Sequence, residues 1–290
     1  TRKFFNSAAA LAFAALAFGS SAQAEGNLTV YCSVQEEWCQ SMVNEFQKAT
    51  GITVAMTRKS SGETFAQVKA ESANPKGDIW WGGTGDPHLQ AAEEGLTEAY
   101  ESPMLAKLHP WAVKQHETGK GATVGIYLGA LGYGYNSELL EQKKIAAPAC
   151  WADLIKPEFK GEVQIANPNS SGTAYTFLAT MVQILGEEEA FKYMKALDGN
   201  INQYTKSGAA PAQAAARGET LVGIAFQHDV ITPTITSNAP IKNVSPCEGT
   251  GFEVGSMSII KGAPNMDSAK KWYDWALTPE AQKLGAASNS

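Results

Sequence analysis

Four times the chain passes from an apolar strand through a turn of hydroxyl and glycine residues into a helix. The most explicit case is Ile165-Ala-Asn-Pro-Asn-Ser-Ser-Gly-Thr-Ala-Tyr175. It predicts a strand over Val163–Ala166, a turn at Asn167-Pro168-Asn169 and a helix over Gly172–Leu185. A helix start leaves up to four N–H groups without internal partners, and the helix dipole makes that end partly positive. Ser170, Ser171 and Thr173 add hydroxyls there, and Gly172 lets a ligand approach the backbone. The stretch therefore suits an anion. An ordinary serine N-cap with no ligand is the competing reading of the same residues.

The pattern recurs. Arg58-Lys-Ser-Ser-Gly-Glu-Thr64 follows a strand over 52–57, precedes a helix over 64–72 and offers Ser60, Ser61 and Thr64. Gly82-Gly-Thr-Gly-Asp-Pro-His88 follows a strand over 77–81, precedes a helix over 89–94 and offers Thr84. Its glycine spacing and Pro87 exclude a dinucleotide fingerprint. Thr205-Lys-Ser-Gly-Ala-Ala-Pro211 follows a strand over 201–204, precedes a helix over 212–217 and offers Ser207. Lys206 is either a charge partner for an anion or a solvated lysine. Repetition favours a shared anion more than any one turn does.

Elsewhere strands and helices alternate, as in an α/β fold. Trp38, Met42, Val43 and Phe46 fall at helical spacing within 36–47. A buried-type strand over 220–226 ends at Gln227-His-Asp-Val230. The carboxyl ends of such strands are where α/β folds place ligand contacts, which makes His228 and Asp229 candidates. The glycine-rich stretch 124–135 and the stretch 246–260 read as strands crossing between two lobes, with Glu248 and Glu253 along the second. Trp80 and Trp81 are either core residues or an apolar face for a sugar ring.

Composition narrows the class of function. Arg2 and Lys3, the apolar run 8–18 and Ala22-Gln-Ala24 read as an export signal cleaved after Ala24, although Thr1 stands where a start methionine belongs. The formal charge is -6, and losing Arg2 and Lys3 with no acid leaves -8. An acidic chain argues against nucleic acid or an anionic membrane as partner. Any anion must be held by local groups. The arginines are Arg2, Arg58 and Arg217, so only Arg58 is placed to clamp one. Cys32, Cys39, Cys150 and Cys247 are an even set in an exported chain; three pairings exist, and Cys32–Cys39 with Cys150–Cys247 is favoured. The absence of Cys-x-x-Cys and the four histidines argue against structural zinc. There is no metal-ligand cluster and no Ser–His–acid motif context, so no catalytic residue, cofactor or metal is expected.

Taken together, Tyr31-Cys-Ser-Val-Gln-Glu-Glu-Trp-Cys39, 58–64, 80–88, 167–175, 205–211, 226–229, 246–253 and Lys271-Trp-Tyr-Asp-Trp-Ala-Leu-Thr-Pro-Glu-Ala-Gln282 resemble the solute-binding components of ABC importers. The resemblance spans roughly residues 27–286. It is to the type II branch of ferric-ion, phosphonate and hexose-phosphate binders, and within it to the periplasmic hexose-phosphate-binding proteins.

The resemblance implies an α/β, two-lobed type II periplasmic binding protein fold with a hinge of crossing strands. The expected division is a signal peptide over 1–24, lobe one over 25–128 and 255–290, and lobe two over 129–254. It implies that Ser60, Ser61, Ser170, Ser171, Gly172 and Thr173 cradle a phosphate, with Thr84 and Ser207 as weaker candidates. His228, Asp229 and Glu253, the last preferred to Glu248, would bond sugar hydroxyls. Ionised carboxylates only accept hydrogen bonds, which suits such hydroxyls. The implied function is capture of a phosphorylated hexose such as glucose 6-phosphate by a periplasmic monomer that docks on an inner-membrane permease. A ferric-ion or phosphonate binder of the same fold is the alternative.

Ferric binders of the branch use adjacent tyrosines where this chain has Phe226-Gln-His-Asp229, which demotes iron. Family members also continue well past Ser290 with further helices. The chain is either naturally short or truncated, and apolar surface on lobe one would then be uncovered.

Overall fold

The computed structural model describes residues 26–287. The export segment read in residues 1–24 lies outside the described residues. β1 (Asn27–Cys32) and α1 (Glu36–Thr50) come first, then β2 (Thr53–Arg58), α2 (Ser61–Ala70), β3 (Ile79–Trp81), α3 (Gly85–Glu93), β4 (Thr97–Glu98) and α4 (Pro110–Thr118). The long strand β5 (Val124–Asn136) leaves this first lobe. The second lobe holds α5 (Ser137–Lys143), β6 (Val163–Ala166), α6 (Gly172–Leu185), α7 (Glu187–Asp198), β7 (Ile201–Thr205), α8 (Ala210–Ala216), β8 (Val222–Phe226), α9 (Gln227–Ser237) and β9 (Ile241–Val244). β10 (Phe252–Ile260) returns to the first lobe, where α10 (Met266–Ala276) and α11 (Pro279–Ala287) follow.

The strand order β2-β1-β3-β10-β5-β8-β6-β7 explains how two lobes share one chain. β1 runs parallel to β2 and β3, and β6 runs parallel to β7 and β8. Parallel neighbours need crossover connections, which the helices supply. β5 joins the halves: its residues 124–130 pair antiparallel with β10, its residues 131–135 pair with β8 and its residues 133–136 pair with β9. The crossing role read in 124–135 is therefore met by one continuous strand.

Each lobe has its own core. Trp38, Phe46, Ile79, Trp81 and Trp272 anchor the first, and Tyr133, Trp151, Phe159, Phe177 and Ile224 the second. Burying each such side chain is worth about 1.5–3 kcal/mol. α1 forms because Trp38, Cys39, Met42, Val43 and Phe46 share one buried face, acids occupy its first turn, and Gly51 in the left-handed region ends it. Cys32 is bonded to Cys39 and Cys150 to Cys247.

Some readings of the sequence need correction. Trp80 and Trp81 are both fully buried: Trp80 stacks on His88 and Trp81 meets Trp38 edge-on, so neither faces a ligand. α2 starts three residues before the expected position because Ser60 and Glu63 form a capping box. α3 starts at Gly85, with Pro87 in the first turn, where its missing N–H costs nothing. The second crossing strand begins only at Phe252. Before it, the Glu248 carboxylate accepts the N–H groups of Trp151 and Ala152, each at 2.8 Å. Glu248 is thus a cap on the 3-10 turn Trp151–Ile155.

Candidate functional site

The four hydroxyl and glycine turns do lie together. They carry the chain into α2, α3, α6 and α8, and their residues line one cavity of about 280 Å³ between the lobes. Ser60, Ser61 and Thr84 enter from the first lobe; Ser171, Gly172, Thr173, Gly208 and Ala209 enter from the second. Ser171 caps α6, its hydroxyl accepting the Ala174 N–H at 3.5 Å, while the first-turn N–H groups of Gly172 and Thr173 have no partner within the helix. Ser61 Oγ accepts the Thr84 N–H at 3.1 Å, which ties the α2 and α3 turns to each other.

Gly172 has a steric reason to be glycine. A Cβ there would overlap Thr84 Oγ1, which comes from the opposite lobe. That Thr84 hydroxyl is fully buried and has no hydrogen-bond partner among the described residues. A buried polar atom without a partner is costly, and this one lies in the lining of the cavity.

Among the described residues, hydrogen bonds hold the lobes across the cleft. Gly62 N donates to Ser170 O at 3.0 Å and Ser60 Oγ to Lys206 O at 3.2 Å. Arg58 Nη2 reaches Ser207 Oγ at 3.4 Å, and Gln35 Nε2 donates to Asp229 Oδ1 at 2.6 Å.

The far end of the cavity is acidic. Asp229 and His228 lie in the first turn of α9, with His228 Nε2 3.7 Å from Asp229 Oδ2. Glu253 sits on β10 opposite Gly129 of β5 and is buried. A Cβ at residue 129 would stand 2.9 Å from Glu253 Oε1 and 3.2 Å from His228 Cε1, so only glycine leaves these two side chains their places. Burial pushes the Glu253 carboxyl well above its ordinary range, and the charges of Asp229 and then Asp86 push it further. Tyr127 of β5 accepts the Gly83 N–H on its hydroxyl at 3.0 Å. Burial, with Glu253 nearby, raises it well above the usual tyrosine value. Burial thus favours the neutral form of both groups, and a neutral carboxyl or phenol can donate a hydrogen bond as well as accept one.

Of the residues singled out in the sequence, Ser60, Ser61, Thr84, Ser171, Gly172, Thr173, His228, Asp229 and Glu253 meet in this cavity. Ser170 and Ser207 do not line it. The Ser170 hydroxyl donates to Asn167 O and Lys206 O, and the Ser207 hydroxyl accepts from Arg58. Lys206 is exposed and contributes its carbonyl. Gln35, Tyr127, Gly208 and Ala209 also line the cavity. Gly208 and Ala209 were legible as part of the fourth turn. Nothing local marked Tyr127, a tyrosine within a glycine-rich strand.

Among the described residues one group of side chains has metal-ligand spacing: Cys150, Cys247 and Glu248. Its two sulfurs are bonded to each other and its carboxylate holds two N–H groups, so it lacks the thiolates a metal needs.

Comparison with known proteins agrees with this geometry. An uncharacterized protein of Haemophilus influenzae is 47% identical over 276 residues, spanning 95% of this chain and 80% of its own. The periplasmic binding protein AfuA of Actinobacillus pleuropneumoniae, solved with exogenous fructose-6-phosphate bound, is 45% identical with a TM-score of 0.86. The alignment covers 91% of this chain and 83% of AfuA. The periplasmic binding protein P5PA is 42% identical with a TM-score of 0.87, covering 91% of this chain and 83% of that one. Residues 75–290 match the family described as bacterial extracellular solute-binding protein. With its two α/β lobes, hinge strands and interlobe cleft, the chain belongs to that family, whose members take up small solutes and deliver them to ABC permeases, and its fold is the type II periplasmic binding protein fold.

Proposed function

We propose that this protein captures a phosphorylated hexose in the interlobe cleft and presents it, in the periplasm and as a monomer, to an inner-membrane permease. The observation that carries this reading is the polarity of the cavity. At one end hydroxyls from both lobes converge beside the first-turn N–H groups of Gly172 and Thr173. At the other stand Asp229, Glu253 and His228. The first end suits a phosphate: helix N-termini and hydroxyl donors bind anions, and the Arg58 guanidinium also lines the cavity. The second suits a sugar, because carboxyl groups accept hydrogen bonds from adjacent hydroxyls. A cavity of about 280 Å³ sits near the lower edge of small-molecule sites, which run from about 300 Å³. That a 45%-identical relative was solved with fructose-6-phosphate supports the same ligand class.

The ligand's contribution is to join the lobes. β5 and β10 act as the hinge, and a ligand touching both sides stabilises the closed arrangement more than an open one. No bond in the ligand is broken. Expulsion of water strengthens each contact in the closed cleft. Residues 1–24 would direct export and be removed after Ala24.

Titration calorimetry with glucose 6-phosphate, glucose, inorganic phosphate and ferric citrate tests the reading. Glucose 6-phosphate is expected to bind tightly, with glucose and phosphate each far weaker because either engages one end only. Tight ferric binding without a response to glucose 6-phosphate would end it.

A further inference from the structure

On its acidic side the cavity is lined by Gln35 and Asp229. A second interlobe cavity of about 410 Å³ lies next to it, and the two share the lining residues Gln35 and Asp229. Those two residues are bonded to each other at 2.6 Å, from the N-cap of α1 in one lobe to the first turn of α9 in the other. The bond therefore stands as a partition between the compartments, and it exists only when the lobes are together. The opposite end of the inner cavity is closed by Thr84 against Gly172.

We infer that the Gln35–Asp229 bond is the end wall of the cargo compartment, and that Gln35 limits the length of sugar the cleft accepts. The inference rests on the sugar-phosphate reading above. With the phosphate seated at the helix starts, the sugar ring abuts Asp229, and a cargo longer by a second ring would have to pass between Gln35 and Asp229. The compartment beyond is lined by Glu37, Gln213, Arg217, Thr232, Thr236 and Ser237. Ala216, Pro233 and Ala239 complete the lining, and this mix of polar and apolar groups suits the hydroxyl edges and C–H faces of a second sugar ring. Gln35 is well suited to a partition that can change. Its side chain makes no capping bond to α1, so the helix does not depend on it.

The test compares the wild type with Gln35→Ser, which keeps a good N-cap but cannot reach Asp229, and with Gln35→Ala as a second variant. Each is titrated with glucose 6-phosphate and with trehalose 6-phosphate, a disaccharide bearing one phosphate. Both variants are expected to gain at least about tenfold in affinity for trehalose 6-phosphate relative to the wild type, the scale on which pocket size discriminates ligands. No gain for trehalose 6-phosphate relative to glucose 6-phosphate in both variants, whether because the ratio is unchanged or because both ligands are lost, would overturn the inference. So would a wild type that takes the disaccharide phosphate as tightly as the hexose phosphate. Failure of the wild type to bind glucose 6-phosphate would instead remove the cargo reading itself, and the wall would fall with it as a device for measuring cargo.

Discussion

At the residue scale, the acids of the cleft divide into two kinds by their surroundings. Asp229 has partners, Gln35 and the neighbouring His228 ring, whereas Glu253 is buried with no cation within ion-pair distance among the described residues. Asp229→Ala is expected to weaken hexose-phosphate binding by about 1.5–3 kcal/mol, the size of a hydrogen bond to a charged group. Calorimetry checks it, and an unchanged affinity would remove Asp229 from the ligand set. Glu253 carries a pH consequence for stability. Its folded pKa lies above the unfolded value, so its contribution is fully present below the unfolded pKa and is lost as pH rises through the folded one. Urea unfolding between pH 5 and pH 9 is therefore expected to show wild-type stability falling relative to Glu253→Gln, which cannot ionise. Parallel curves would mean that Glu253 is not held protonated. His228 and Asp229 were legible because strand ends in α/β folds carry ligand contacts, whereas Glu253 was preferred to Glu248 only through the resemblance. Tyr127 was not legible, because its value comes from reaching Gly83 on another element. Trp80 and Trp81 stayed open between two readings, since an aromatic pair reads alike in a core and on a sugar-binding wall, and burial decides for the core.

At the scale of elements, the turns before α2, α3, α6 and α8 carried the signal. The bounds of β6 and α6 follow directly from the residues, with Asn167-Pro168-Asn169 stopping one and Ser171 capping the other. α9 was illegible. Gln227–Ser237 contains isoleucines, threonines, a valine and an internal Pro233, all poor helix formers, yet it packs against β5, β8 and β9. Tertiary packing overrode propensity there. The contact between α6 and the α3 turn gives a sharp prediction. Gly172→Ala is expected to fold normally, because alanine favours a helix, but to prevent the lobes from meeting at Thr84. Small-angle scattering should find this variant unchanged by glucose 6-phosphate while the wild type, given the same ligand, occupies the closed form. A variant that matches the wild type in ligand-bound size and affinity would contradict the role given to this contact.

At the scale of the whole molecule, length and the alternation of strands and helices suited two lobes or one large domain, and the family resemblance, with the two crossing segments, chose two lobes and a hinge. The path of each crossing was less legible: β5 runs unbroken, while the return begins as irregular chain tied to Glu248. Charge acts at this scale too. A chain of net charge -8 without residues 1–24 repels an anionic ligand at long range while local donors bind it at short range. Stopped-flow association with glucose 6-phosphate is therefore expected to hold steady or quicken as salt rises from about 10 mM to about 150 mM, because salt screens the repulsion. A steep slowing would reveal a positive funnel that the cleft does not have. The measurement that bears most directly on the whole account is a crystal structure with glucose 6-phosphate bound. The phosphorus is expected between the starts of α2 and α6, within hydrogen-bond reach of Ser61 and of the Gly172 and Thr173 N–H groups, with sugar hydroxyls on Asp229 and Glu253. A phosphate lying elsewhere, or a cleft left empty at saturating ligand, would contradict it.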